Sequence, residues 1–224
     1  MKTVAEFLER VYDGEIDLIQ GGIDRVVFRE NDDYVIKMDK SDMEYDELEA
    51  LSDYFCDSMD ECYIESDDTF SSSCASGDQN SNEMDLYENL VELAQESSFD
   101  ILRNIPKMEY IDDNGTLIRA EYCGVTLKYV CSEDDELRRR FRNDDIGDLL
   151  EEYESKYGEL HRALRPTTVL LAVDANLTTL EEINNLSQTL EVISEKHYLG
   201  NDFHWDNIAY KNNIPYLIDL GFAG

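Results

Sequence analysis

Apolar residues recur along this chain in two rhythms, and the changes of rhythm predict its elements. Val4, Phe7, Leu8 and Val11 fall on one face of a helix over residues 3–13. The period then shortens to two. Glu15-Ile16-Asp17-Leu18-Ile19, Arg25-Val26-Val27-Phe28 and Tyr34-Val35-Ile36-Lys37-Met38 are predicted strands. Gln20-Gly21-Gly22 and Asn31-Asp32-Asp33 separate them, and such tight turns predict an antiparallel meander. Ile105–Ile111 and Thr116–Gly124, joined at Asp112–Gly115, predict a further hairpin and bring the sheet to five strands.

The period lengthens again from about Ser81 to Ser97, where Tyr87, Leu90 and Ala94 form an apolar stripe. Glu83 is in line with that stripe and Glu88 lies round the helix from it. The chain from 125 to 197 is predominantly helical in pattern. Ile146, Leu149, Leu150, Tyr153, Tyr157, Leu160 and Leu164 repeat every three to four residues up to Pro166. Thr179 and Glu182 make a capping box that starts a helix with Leu180, Ile183, Leu186, Leu190 and Ile193 inward. Residues 167–177 are apolar and fit either period. Past Tyr198 a short strand, a polar turn at Asn212-Asn213 and a second strand predict another hairpin.

Composition interrupts this order once. Residues 39–68 hold thirteen acidic side chains against one base, Lys40, and 69–82 are rich in Ser, Asn and Gly. Residues 39–78 are therefore an insertion, part of it an amphipathic helix with an acidic outer face. Over the whole chain 19 basic and 52 acidic residues leave a formal net charge of −33. That field repels nucleic acid and anionic membranes. It suits a solvated acidic surface, a basic protein partner, or mimicry of nucleic acid, and charge alone does not choose between them. No signal peptide or span-length apolar run is present, so a soluble, cytoplasmic protein is expected. The five cysteines lack zinc-site spacing and suit free thiols in a reducing compartment. Arg138-Arg139-Arg140-Phe141-Arg142 is the only basic cluster, and acidic runs at 133–136 and 144–145 can pair with it.

The candidate chemistry lies in two places. Asp202-Phe-His204-Trp-Asp-Asn207-Ile208 places an Asp five residues before an Asn, and Ile218-Asp219-Leu220-Gly221 follows the second strand of the hairpin. One Asp can accept a hydroxyl proton, while the Asn and the second Asp can hold magnesium on phosphates. The alternative is a hairpin whose flanking carboxylates face water. Lys37 sits within the third strand, on the face of Val35 and opposite Ile36 and Met38. A buried Lys needs a partner, for which Glu83 is preferred to Glu88. An edge-strand Lys that discourages aggregation is the other account. His161 has the pattern of an ordinary helix residue.

In these residues the chain resembles the small serine/threonine kinases and kinase-like proteins of tailed bacteriophages, and more distantly the aminoglycoside and choline phosphotransferases. Those families carry Asp-[Leu/Met/Phe]-His-x-x-Asn-[Ile/Val] and a metal-binding Asp after a strand. Gln79-Asn80-Ser-Asn82-Glu83 resembles the motif that begins the core helix in phage members. The resemblance implies an α+β, protein-kinase-like fold: residues 1–124 as an N-lobe with a five-stranded antiparallel sheet and core helix, and 125–224 as a reduced, mainly helical C-lobe with a catalytic hairpin. It implies ATP and Mg²⁺ as cofactors. Lys37 and Glu83 would serve the nucleotide phosphates, Asp202 would be the catalytic base, and Asn207 and Asp219 would bind the metal. Val35, Gly21 and Gly22 would line the nucleotide, and the backbone at Glu121–Cys123 would meet the adenine. Gly21-Gly22 departs from a full glycine-rich loop and suits a hairpin turn equally. The sequence runs only three residues past Gly221, which implies no activation segment.

Two functions follow as expectations. The first is a Mg-ATP-dependent phosphotransferase, a minimal Ser/Thr kinase acting on host proteins in a host cytoplasm. The second is a non-catalytic protein on the same scaffold whose acidic surface inhibits a basic host factor. Neither binds nucleic acid or membrane directly, and neither fixes the oligomeric state.

Overall fold

A computed structural model describes residues 3–21, 25–39, 50–51, 79–97, 99–112, 114–196, 203 and 205–220. Gly22, Asp202, His204, Gly221 and nearly all of 39–78 lie outside the described residues. The chain is a mixed α+β protein of two compact units. Met1–Asp85 and Lys107–Tyr122 form one, and Leu86–Pro106 and Cys123–Gly224 form the other. Residues 86–106, which the sequence places with the N-terminal half, therefore group with the C-terminal one.

The first unit opens with α1 (Val4–Tyr12), capped by the Thr3 hydroxyl, which accepts from the Glu6 amide at 3.2 Å. Strands β1 (Asp17–Gly21), β2 (Arg25–Arg29) and β3 (Tyr34–Asp39) follow, then β4 (Met108–Tyr110) and β5 (Leu117–Glu121). All pairings are antiparallel and the order across the sheet is β1-β2-β3-β5-β4. The register slips once, between Leu18 and Gln20. Alternation gives the central strand two buried faces. Ile36 and Met38 join Phe7, Leu8, Val11, Val26, Phe28, Leu51 and Leu117 in the core against α1. Phe7 meets Phe28 edge to face at 4.9 Å. The alternate residues, Val35, Lys37 and Asp39, serve the other face. The turn before β5 is organised by Asp112, whose carboxylate accepts from the amides of Asn114, Thr116 and Leu117.

Helix α2 runs Gln79–Glu96, with Gln79–Asp85 in the first unit and the remainder in the second. Its buried residues are Asn80, Glu83, Met84, Leu86 and Leu90. Tyr87 and Ala94, predicted inward, are only half-buried.

In the second unit a 3-10 turn at Ile101–Asn104 leads into β6 (Val125–Thr126), α3 (Leu127–Glu133), α4 (Asp135–Arg142), α5 (Gly147–Tyr157), α6 (Pro166–Asp174), α7 (Leu180–Ser194), β7 (Ile208–Lys211) and β8 (Ile214–Leu217). The apolar run at 167–177 thus resolves as α6, started by Pro166 in its first turn, with Val169, Leu170, Leu171 and Ala172 fully buried. The predicted helix through 146–164 stops at Tyr157. Gly158 there takes φ +87°, a conformation an L residue resists. His161 consequently lies in irregular chain and not in a helix. Strand β6, too short to show a period, joins β7 and β8 in a three-stranded sheet. Asn212 and Asn213 both have positive φ, the form a two-residue hairpin turn demands.

Candidate functional site

In the first unit the buried polar groups gather where β2, β3 and the start of α2 meet. Pairing sets Arg25 opposite Asp39 and Val27 opposite Lys37, so Arg25, Lys37 and Asp39 share one face of the sheet. The first turns of α2 supply Asn80 and Glu83. Lys37 Nζ donates to Glu83 Oε1 at 2.7 Å, and Arg25 Nη1 donates to Glu83 Oε2. Glu88 is exposed on the same helix. The Glu83 side chain has no accessible surface, and those of Arg25 and Lys37 retain 7% and 5%. Val35 is buried two residues along the strand from Lys37, and Gly21 closes β1.

Asn80 fastens this group to the sheet. Its side-chain amide donates to the carbonyls of Thr116 at 2.7 Å and Lys37 at 3.3 Å, and its backbone amide donates to Asp39 Oδ2 at 2.8 Å. Asp39 thereby caps the start of α2, where an anion is favoured. Sequence alone assigns no role to Arg25, Asp39 or Asn80. A signal for two of them was present: Arg25 shares the alternation that places Lys37, and Asn80 belongs to the Gln79–Glu83 motif.

At the far end of the sheet, Tyr122 donates its amide to the Asp33 carbonyl at 2.7 Å, and Glu121 donates its amide to that of Lys107 at 2.9 Å. Arg29 lies over the Tyr122 ring at 3.9 Å. On the solvent side Arg119 is held by both oxygens of Glu30, and that carboxylate raises its pKa.

In the second unit Cys123 is buried, and Gly124 runs against β7. Asn207 and Asp219 flank the β7–β8 hairpin. The Ile218 amide donates to the Asn207 carbonyl at 3.0 Å, extending the ladder one step beyond Ile208 and Leu217. Asn207 is buried and Asp219 half-buried. Among the described residues no group of three or more His, Cys, Asp or Glu is gathered to hold a metal. The hairpin is anchored from behind by Asn104. Its amide donates to the Pro215 carbonyl at 2.8 Å and its oxygen accepts from the Thr189 hydroxyl at 2.8 Å, all within the core.

The segment before β7 is held by α3 and α4. Lys128 pairs with Asp206 at 3.0 Å, and Phe141 stacks on Trp205 with ring centres 4.3 Å apart and 11° between planes. Three members of the basic run in α4 are paired: Arg138 with Asp135 and Arg139 with Glu136 within the helix, and Arg140 with Asp145 just beyond it and with Asp174 of α6. Burial raises the pKa of Cys131 and of the Tyr210 phenol and lowers that of His161. His161 Nδ1 accepts from the Ala163 amide at 3.2 Å, an acceptor role open to the neutral ring.

No family model matches this chain, and no curated protein matches it. Solved structures of aminoglycoside phosphotransferases are distantly similar. APH(2″)-IIa in a streptomycin–ATP ternary complex aligns with a TM-score of 0.36 and 16% identity, over 99% of this chain and 71% of that one. ADP-bound APH(2″)-Ib gives 0.37 and 16%, over 98% and 71%. The gentamicin complex of APH(2″)-IIa gives 0.38 and 17%, over 99% and 71%. At these values no residue role is carried across.

Proposed function

We propose that this protein is a Mg-ATP-dependent phosphotransferase of protein-kinase-like fold, acting on Ser or Thr hydroxyls of proteins. The observation that supports it best is the desolvated Lys37–Glu83 pair at 2.7 Å. A buried ion pair is a poor stability device, since apolar residues of similar volume usually do as well or better. A Lys fixed by a carboxylate between a central strand and the first turns of a helix is what gripping a nucleotide phosphate requires.

Lys37 would contact the nucleotide phosphates and Glu83 would orient it. Val35 and the backbone at Glu121–Cys123 would receive the adenine. Asn207 and Asp219 offer an amide oxygen and a carboxylate, hard donors that suit Mg²⁺, which commonly takes one or two protein oxygens and completes its shell from phosphate and water. That ion, when bound, neutralises charge on the phosphates. Asp202 would accept the proton of the attacking hydroxyl. The bond from the γ-phosphorus to the ADP oxygen breaks as the bond to the acceptor oxygen forms. The contribution of the protein is positioning and electrostatics.

The net charge of −33 favours a second reading, in which the scaffold binds and inhibits a basic protein without turnover. Incubation of purified protein with Mg²⁺, γ-labelled ATP and a bacterial lysate separates the two. Label transfer that disappears in Asp202→Ala is expected. A folded protein that binds nucleotide but transfers nothing, and captures a basic protein in a salt-sensitive manner, would establish the inhibitor instead.

A further inference from the structure

Glu83 faces two cations, and each takes a different oxygen of its carboxylate. One carboxylate oxygen accepts from Lys37 Nζ at 2.7 Å and the other accepts from Arg25 Nη1. Arg25 reaches this position from the first residue of β2, its side chain 7% exposed, and also donates to Asn80 Oδ1 at 3.4 Å. Asp39, its cross-strand neighbour, is turned to the Asn80 amide at the start of α2. With Asp39 also buried, the cluster sets two cations against two carboxylates in a desolvated setting, where the geometry of each charged hydrogen bond matters most.

We propose that Arg25 is a positioning residue for the nucleotide phosphates. By occupying Oε2 of Glu83 it fixes the carboxylate plane, so that Oε1 aims the Lys37 ammonium. With that plane fixed, the ammonium keeps one position relative to a phosphate that reaches it. The inference rests on the nucleotide-binding reading above, and it predicts a dependence that grows with the number of phosphates on the ligand.

The test is equilibrium binding of adenosine, ADP and Mg-ATP to the full chain, wild type beside Arg25→Gln, Arg25→Lys and Lys37→Met, with near-ultraviolet circular dichroism as the folding control. Arg25→Gln keeps a neutral hydrogen-bond donor. It should weaken ATP about tenfold, the value of one charge-assisted hydrogen bond, and leave adenosine within about twofold. Arg25→Lys should restore most of the ATP affinity. Equal losses for adenosine and ATP would mean a structural role, and no loss for either would mean none; both overturn the proposal while Lys37→Met still impairs ATP. Should Arg25→Gln not fold, Arg25→Lys decides: retained preference for ATP over adenosine supports the proposal, and loss of that preference overturns it. Wild-type protein that binds no ATP, or Lys37→Met that binds it normally, would remove the nucleotide-binding reading and this inference with it.

Discussion

A Cβ built at Gly124 would lie 2.1 Å from the Tyr210 carbonyl oxygen, and the residue's φ is +88°. Both the space and the backbone conformation exclude a side chain. Gly124→Ala should therefore lower stability by about 1–3 kcal/mol from strain alone, more if β6 separates from β7, and urea unfolding would read it. Unchanged stability would mean that the β6–β7 approach is loose. A second residue sets a pH dependence. His161 is held below its ordinary pKa, first by burial and then by Arg162. The folded chain thus takes up this proton less readily than the unfolded one, whose imidazole titrates near about 6.5. As pH falls through that value the unfolded state is protonated first, so the contribution of His161 to stability is lost toward acid. Asn in its place offers an oxygen near Nδ1 that does not titrate. Wild type should lose more of its urea midpoint between about pH 7.5 and 5.5 than His161→Asn does; parallel losses would sink this account.

At the level of elements, the Asn104 bridge ties the 3-10 turn, α7 and β8 together, and so holds the hairpin that carries Asn207 and Asp219. Asn104→Leu strips partners from the Pro215 carbonyl and the Thr189 hydroxyl, both in the core. The expected loss is about 1–3 kcal/mol per orphaned group, read as a lower urea midpoint; a midpoint within error of wild type would show that the hairpin stands alone. The strands of the first unit, the capped start of α7 and the Asn212-Asn213 turn were all legible in the sequence, because local pattern and turn chemistry agree there. The Lys37–Glu83 pair was also legible, since a Lys inside an apolar strand asks for a partner and Glu83 sat in line with the stripe. What escaped was non-local. Arg25 is one more charged residue at a strand end until β2–β3 pairing aligns it with Lys37. Strand β6 is too short for a period, and His161 followed a rhythm that Gly158 breaks by conformation and not by hydrophobicity.

For the molecule as a whole, 52 acidic residues against 19 basic ones mean self-repulsion in the folded state. Among the described residues, the ion pairs outside the Glu83 cluster are mostly exposed and contribute little each. Added salt should therefore raise the melting temperature as the Debye length shrinks from about 30 Å at 0.01 M to about 10 Å at 0.1 M. A melting temperature that is flat or falls over that range would mean that attractive pairs dominate. The same screening should weaken capture of a basic partner, so stability and association are expected to move in opposite directions with salt. Among the described residues no helix is long and apolar enough to cross a membrane.

The chain contains one tryptophan, and it is Trp205, stacked on Phe141 and two residues before Asn207. The protein thus carries a single native fluorophore at the segment whose behaviour is most worth following. Excited at the red edge, beyond tyrosine absorption, its emission has one source and needs no assignment. Titrations of nucleotide or magnesium, and the kinetics of folding, can be followed from that indole without a label.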